Sequence, residues 1–148
     1  MSLPRVVLDT NVCLDIFVFN DPQSAALRVA MGERRVQAVT RPDCRDEWLR
    51  VLRYPGLPID DGNRDGFAAA FDALVQCLPP DAAQPAPELP RCGDPDDQKF
   101  LELAQAAGAR WLVSKDNELL KLASRCHRDG LFRICLPQAW SLSQAVDL

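Results

Sequence analysis

Two aspartates in this 148-residue chain sit just past short apolar, partly β-branched runs. Asp9 follows Arg5-Val6-Val7-Leu8, and Asp116 comes two residues after the end of Trp111-Leu112-Val113-Ser114. Runs of this kind read as buried strands. With the two strands parallel in one sheet, both carboxylates fall on the rim at the strands' carboxyl ends, where open α/β sheets bind their ligands. An aspartate at a strand-to-helix turn also caps the next helix in many folds, so capping is the competing reading of each residue taken alone.

Two further carboxylates join them. In Asp94-Pro95-Asp96-Asp97, Asp94 suits a helix N-cap, Pro95 the first helical position and Asp97 the third. Leu101 and Ala104 follow Asp97 at helical spacing, which puts its carboxylate on the apolar stripe. A carboxylate there is costly unless paired or bound to a cation. A capping-box role at the positive helix end competes with that reading. Asp96 is rotated off the stripe and reads as solvated. Glu47 shares a helix face with Val51, and a solvated face is its competing reading.

Gathered without a lysine or histidine among them, four carboxylates repel one another unless protons or divalent cations intervene. Oxygen-only ligands favour Mg²⁺ or Mn²⁺. Phosphodiester hydrolysis is the chemistry that suits such a site, with metal-activated water and offset phosphate charge. The single histidine, His127, has no matching nucleophile pattern, so the chain lacks a Ser-His-Asp triad.

The elements that must position these acids alternate. A strand at 5–8 leads to a helix over 12–18 and, after Asp21 as cap and Pro22, a second helix over about 24–32. A strand at 36–39 precedes a helix opened by Pro42 and closed by Tyr54-Pro55-Gly56. Phe67, Ala70, Phe71, Leu74 and Val75 recur at helical spacing and feed a short strand near Cys77-Leu78. Residues 79–90 hold five prolines and read as a surface loop inside a single domain of residues 1–148. The Asp94 helix runs to Ala107, Gly108 follows, and the strand at 111–114 leads to a short helix over about 119–123. A strand at 132–135 and a helix begun by Pro137 complete the chain. This order implies a three-layer α/β/α sandwich on a parallel sheet.

Composition sets outer bounds. A 47% hydrophobic fraction fills one core, and the net charge of −4 argues against a general nucleic-acid coat. Acids that ligate a cation would make that bulk charge misleading. Fourteen of the seventeen basic residues are arginine, which suits bidentate phosphate binding, although an arginine-rich genome gives the same bias. The six cysteines form no C-x-x-C pair, so a structural zinc site is not expected, and they read mostly as small core residues. The N-terminus has no signal-like apolar segment and no run is long enough to cross a membrane; a cytoplasmic location is expected.

Taken jointly, the acidic blocks resemble the PIN-domain family. Val7-Leu8-Asp9-Thr10-Asn11-Val12 is similar to its opening motif, and Glu47-x-x-x-Val51-Leu52-Arg53-Tyr54-Pro55 to its second acidic motif. The second half of the family is matched by Asp94-Pro95-Asp96-Asp97-x-x-Phe100-Leu101-x-Leu103-Ala104, then Gly108-Ala109-x-x-Leu112-Val113-Ser114-x-Asp116. The resemblance spans residues 6 to about 137 and is nearest to the bacterial toxin components of toxin–antitoxin systems. It implies a five-stranded parallel sheet with Rossmann-like topology and Mg²⁺- or Mn²⁺-dependent RNA cleavage. By position it implies Asp9, Glu47, Asp97 and Asp116 as catalytic metal ligands, and Asn11 and Ser114 as supporting polar groups. RNA as substrate, a small antitoxin protein as partner and room for a homodimer come with it. Glu118 departs from the pattern, since relatives often carry Asp there. Among the cations near these acids (Arg41, Arg45, Arg50, Arg53, Lys115 and Lys121), Arg50 stands one helical turn from Glu47 and ranks first as a phosphate contact, with Lys115 second.

Two other classes compete. One is a PIN-like scaffold without activity that binds protein or RNA. The other is a phosphatase or phosphoacceptor with Asp9 as nucleophile, against which Asn11 stands where a second Asp is wanted. A DNA-flap nuclease would want a further helical arch.

Overall fold

The computed structural model describes residues 2–80 and 89–143, so most of the proline-rich loop at 79–90 lies outside the described residues. Five parallel strands form one sheet: β1 Arg5–Leu8, β2 Gln37–Thr40, β3 Val75–Cys77, β4 Trp111–Val113 and β5 Arg133–Cys135. Their order is β3-β2-β1-β4-β5, which puts the first strand at the centre. Topology reverses there: β1 pairs with β2 on one side and β4 on the other, Val7 standing opposite both Val39 and Leu112.

Side chains alternate across the pleat, so every strand except the edge strand β3, which buries only Val75, feeds two cores. Val6, Leu8, Ala38, Trp111 and Val113 point into one, with α1 (Thr10–Leu14), α2 (Ala25–Gly32), most of α3 (Pro42–Val51) and α4 (Arg64–Leu74) packed over them. Val7, Val39, Leu112 and Ile134 point into the other, under α5 (Gln98–Ala106), α6 (Asn117–Leu120) and α7 (Ala123–Arg128). This is the expected three-layer sandwich. In the first core Trp48 stacks on Phe71 with ring centroids 5.2 Å apart and planes 23° apart, which ties α3 to α4.

Local differences from the expected elements have identifiable causes. The helix expected over 12–18 starts at Thr10 and widens after Leu14 into a π-helical turn, Asp15–Phe19, closed by Asn20 in the left-handed conformation at φ 52°. Pro22–Ser24 and Pro95–Asp97 are single 3-10 turns leading into α2 and α5, each begun by its aspartate cap. Val75, which fits the apolar stripe of α4, instead begins β3, because the edge of β2 offers it backbone partners at Ala38. Helix α7 has too weak an apolar period to be read from sequence, and Pro137 starts only one 3-10 turn. Cys13, Cys44, Cys92 and Cys126 are buried as expected, whereas Cys77 is exposed on the edge strand. At the end of α5, Gly108 adopts φ +64° and Ala109 N–H bonds back to Ala104 O at 2.9 Å, a left-handed stop that turns the chain into β4.

Candidate metal centre at the carboxyl edge of the sheet

Asp9 ends β1 and caps α1. Its Oδ1 accepts from Thr10 N at 2.7 Å and its Oδ2 from Ser114 Oγ at 2.6 Å, while its own N–H bonds to Val113 O across the rim. Capping and rim position, which compete on sequence, are both true of it. Ser114 is fully buried and also accepts from Asp116 N at 2.9 Å, so one hydroxyl holds both strand-end aspartates. Asp116 in turn caps α6 through Glu118 N at 2.9 Å.

Asp97 is buried at the last position of its 3-10 turn. Its carboxyl lies with those of Asp94 and Asp116 such that one oxygen from each falls within 4.8 Å of the others. Asp94 performs its expected capping through Asp96 N at 3.0 Å and joins this cluster as well, a second role that its sequence position did not reveal. Glu47 stands beside it on α3. Its Oε2 accepts from Thr10 Oγ1, and its Oε1 lies 2.8 Å from Lys99 Nζ. Lys99 also donates to Asp96 O. Neither Thr10 nor Lys99 was singled out from sequence, but Lys99 carried a signal. A lysine in the first turn of a helix opposes the helix dipole, a modest cost that a nearby carboxylate offsets.

The electrostatics of the rim follow from burial and crowding. Burial pushes the Asp9 carboxyl up to about 6; hydrogen bonds from Ser114 and Thr10 pull it back, and the charges of Glu47 and Asp116 add to the rise. Asp97 is pushed up to about 8, first by burial, then by its hydrogen bond with Asp116 and the charges of Asp9, Asp116 and Asp94. Asp116 is held below the usual carboxylate range, chiefly by that same hydrogen bond from Asp97. The pair thus shares a proton near neutrality. An all-oxygen cluster that must keep a proton to coexist fits a divalent cation, which would displace the proton and satisfy the same oxygens.

The remaining sequence candidates divide. Asn11 Oδ1 is buried with no hydrogen-bond partner among the described residues, whereas Ser114 is fully engaged. Lys115 forms an ion pair with the buried Asp15 at 2.7 Å. Lys121 pairs with Glu118, Arg41 with Asp43 and Glu102, and Arg45 with Asp72. Arg50 and Arg53 are exposed and have no ion-pair partner among the described residues.

Residues 5–118 match the family described as PIN domain, and this span contains every acid of the cluster. The chain belongs to the PIN-domain family. A solved structure of VapBC2 from Rickettsia felis, bound to a DNA fragment from their promoter, contains a chain of the same fold. The similarity has a TM-score of 0.52 at 11% identity and covers 88% of this chain and 96% of that one. No curated protein sequence matches the chain. In this PIN domain Asp9 and Asp116 follow the carboxyl ends of the neighbouring strands β1 and β4, between which the strand order reverses, the crevice position that such a topology provides for a ligand. No helix among the described residues is long and apolar enough to cross a membrane.

Proposed function

We propose that this PIN domain is a Mg²⁺- or Mn²⁺-dependent endoribonuclease, acting in the cytoplasm as the toxin of a type II toxin–antitoxin pair. The observation that carries the reading is the aspartate cluster: Asp94, Asp97 and Asp116 converge within 4.8 Å at the carboxyl edge of the sheet. In this reading Asp97 and Asp116, with Asp94, hold the ion, and Asp9 and Glu47 complete the acidic rim. When bound, the ion supplies a Lewis acid that favours deprotonation of water and offsets charge on a scissile phosphate.

The chain's own residues have separate tasks. Ser114 holds the Asp9 carboxylate and the backbone N–H of Asp116 with one hydroxyl, which ties the two strand ends together. Thr10 orients Glu47. Asn11, whose buried acceptor has no partner among the described residues, is in this reading the group that orients a donor such as a water. Arg50, exposed on α3 and without an ion pair among the described residues, offers a cation for the RNA backbone, with the exposed Arg53 beside it. The fold shared with a VapBC2 chain supports the toxin–antitoxin setting, with a small antitoxin protein as partner and a second copy of the chain as a further one.

The test is cleavage of single-stranded RNA by purified protein with Mn²⁺, with EDTA, and with Asp97→Asn and Asp116→Asn in Mn²⁺. Cleavage in Mn²⁺ by the wild type alone is expected. Equal RNA integrity in all four would instead identify a binding scaffold. Growth arrest on expression, relieved by a small protein encoded beside it, would establish the biological pairing.

A further inference from the structure

Glu47 differs from the other acids of the rim in one respect: it is ion-paired. Its Oε2 accepts from the Thr10 hydroxyl and its Oε1 lies 2.8 Å from the Lys99 ammonium, and both partners of the ion pair are largely buried. Asp9, Asp94, Asp97 and Asp116 form no ion pair among the described residues, although Asp97 is close enough to Lys99 to feel its charge. Lys99 is held from a second side by the carbonyl of Asp96, the residue next to Asp97, so its charge is fixed between α3 and the aspartate cluster rather than swinging in solvent. It also lies over the face of Phe100, 5.3 Å from the ring centroid, a third contact that keeps it in place.

We infer that Lys99 is a built-in cation of this site: it takes Glu47 as its counter-ion, so that Glu47 is a positioning residue rather than a metal ligand and the chain holds one divalent ion, at the aspartate end. The inference rests on the metal-dependent reading above and deepens it. A like charge beside a cation site weakens binding, and a carboxylate already neutralised gains little from a second cation. Lys99 therefore sets the affinity and number of ions, and Glu47 acts through it.

Direct counting of Mn²⁺ bound to the metal-free full chain, by the paramagnetic resonance of the free ion, tests this without any assay of activity. One ion per chain is expected for the wild type. Glu47→Gln should weaken binding by about tenfold because it bares the Lys99 charge, and the paired Glu47→Gln/Lys99→Met variant, which removes both charges, should return the affinity to within about threefold of the wild type. Lys99→Met alone should tighten binding by about tenfold, and Lys99→Arg, which keeps the charge, should leave it as in the wild type. Circular dichroism checks folding, and if the Lys99→Met variants do not fold, the wild-type ion count and Lys99→Arg decide. Two ions in the wild type, or a tenfold loss that persists in the paired variant, would overturn the role of Lys99 and leave the nuclease reading standing. A wild type that binds no Mn²⁺ overturns both.

Discussion

Ser114 Oγ and Asp9 Oδ2 are 2.6 Å apart in space and separated by 105 positions in the chain. The hydroxyl is fully buried, and the N–H of Asp116 depends on it as well. Ser114→Ala should therefore leave a buried Asp9 oxygen and the part-buried Asp116 N–H short of a partner and destabilise the protein by about 1–3 kcal/mol. Because the lost bond lowers the Asp9 pKa, the variant should also titrate Asp9 above its present value of about 6. Urea unfolding and carboxyl NMR measure the two effects, and a variant unchanged in both would show that the contact is incidental.

Stability of the metal-free protein should fall as pH rises from about 4 to about 8. Asp9 and Asp97 bind their protons more tightly folded than unfolded, with folded values of about 6 and about 8 against 3.8. The folded state then holds more protons through that window, and such a state loses stability as pH rises. Asp116, held low by Asp97, acts only below the window. Thermal melts of Asp97→Asn should match the wild type near pH 4 and exceed it near pH 8. A variant less stable than the wild type at pH 8 would mean that the Asp97 carboxyl is an asset of the metal-free fold.

Metal binding should release protons for the same reason. Calorimetry of Mn²⁺ at pH 7 in buffers of different ionisation enthalpy should show close to one proton leaving per ion, since the Asp97–Asp116 pair shares one near neutrality. Heats independent of the buffer would contradict the shared proton.

Arg50 and Lys115 should separate cleanly. Arg50 is exposed and unpaired among the described residues, so Arg50→Ala should weaken RNA binding across sequences and flatten its salt dependence, with stability unchanged. Lys115→Ala leaves Asp15 buried without its cation; since Lys115 itself is 39% exposed, screening limits the cost to about 1 kcal/mol. Filter binding over a salt series and urea melts on both variants check this. Equal salt slopes for Arg50→Ala and the wild type would move the phosphate contacts elsewhere.

The sheet was legible because its strands are short, β-branched and bounded by turn residues, and the rim position of Asp9 and Asp116 followed from their being the first acids past β1 and β4. Asp97 was legible through its place on an apolar stripe. What could not be read was pairing between distant elements. The Lys99–Glu47 contact joins α5 to α3 across 52 positions, and the Asp15–Lys115 pair joins the π-helical turn after Leu14, which no local pattern announces, to the loop past β4. The doubled role of Asp94 was hidden for a different reason: its capping bond already accounts for the residue locally.

The central place of β1 has a consequence for the protein during its own synthesis. The strand made first is flanked by β2 and by β4, so its second edge has no partner until residues 111–113 have left the ribosome. The cluster needs Asp116, which emerges later still. A nascent chain stalled before that point carries Asp9 and Glu47 but cannot assemble the rim, and long-range parallel pairing of this kind forms slowly.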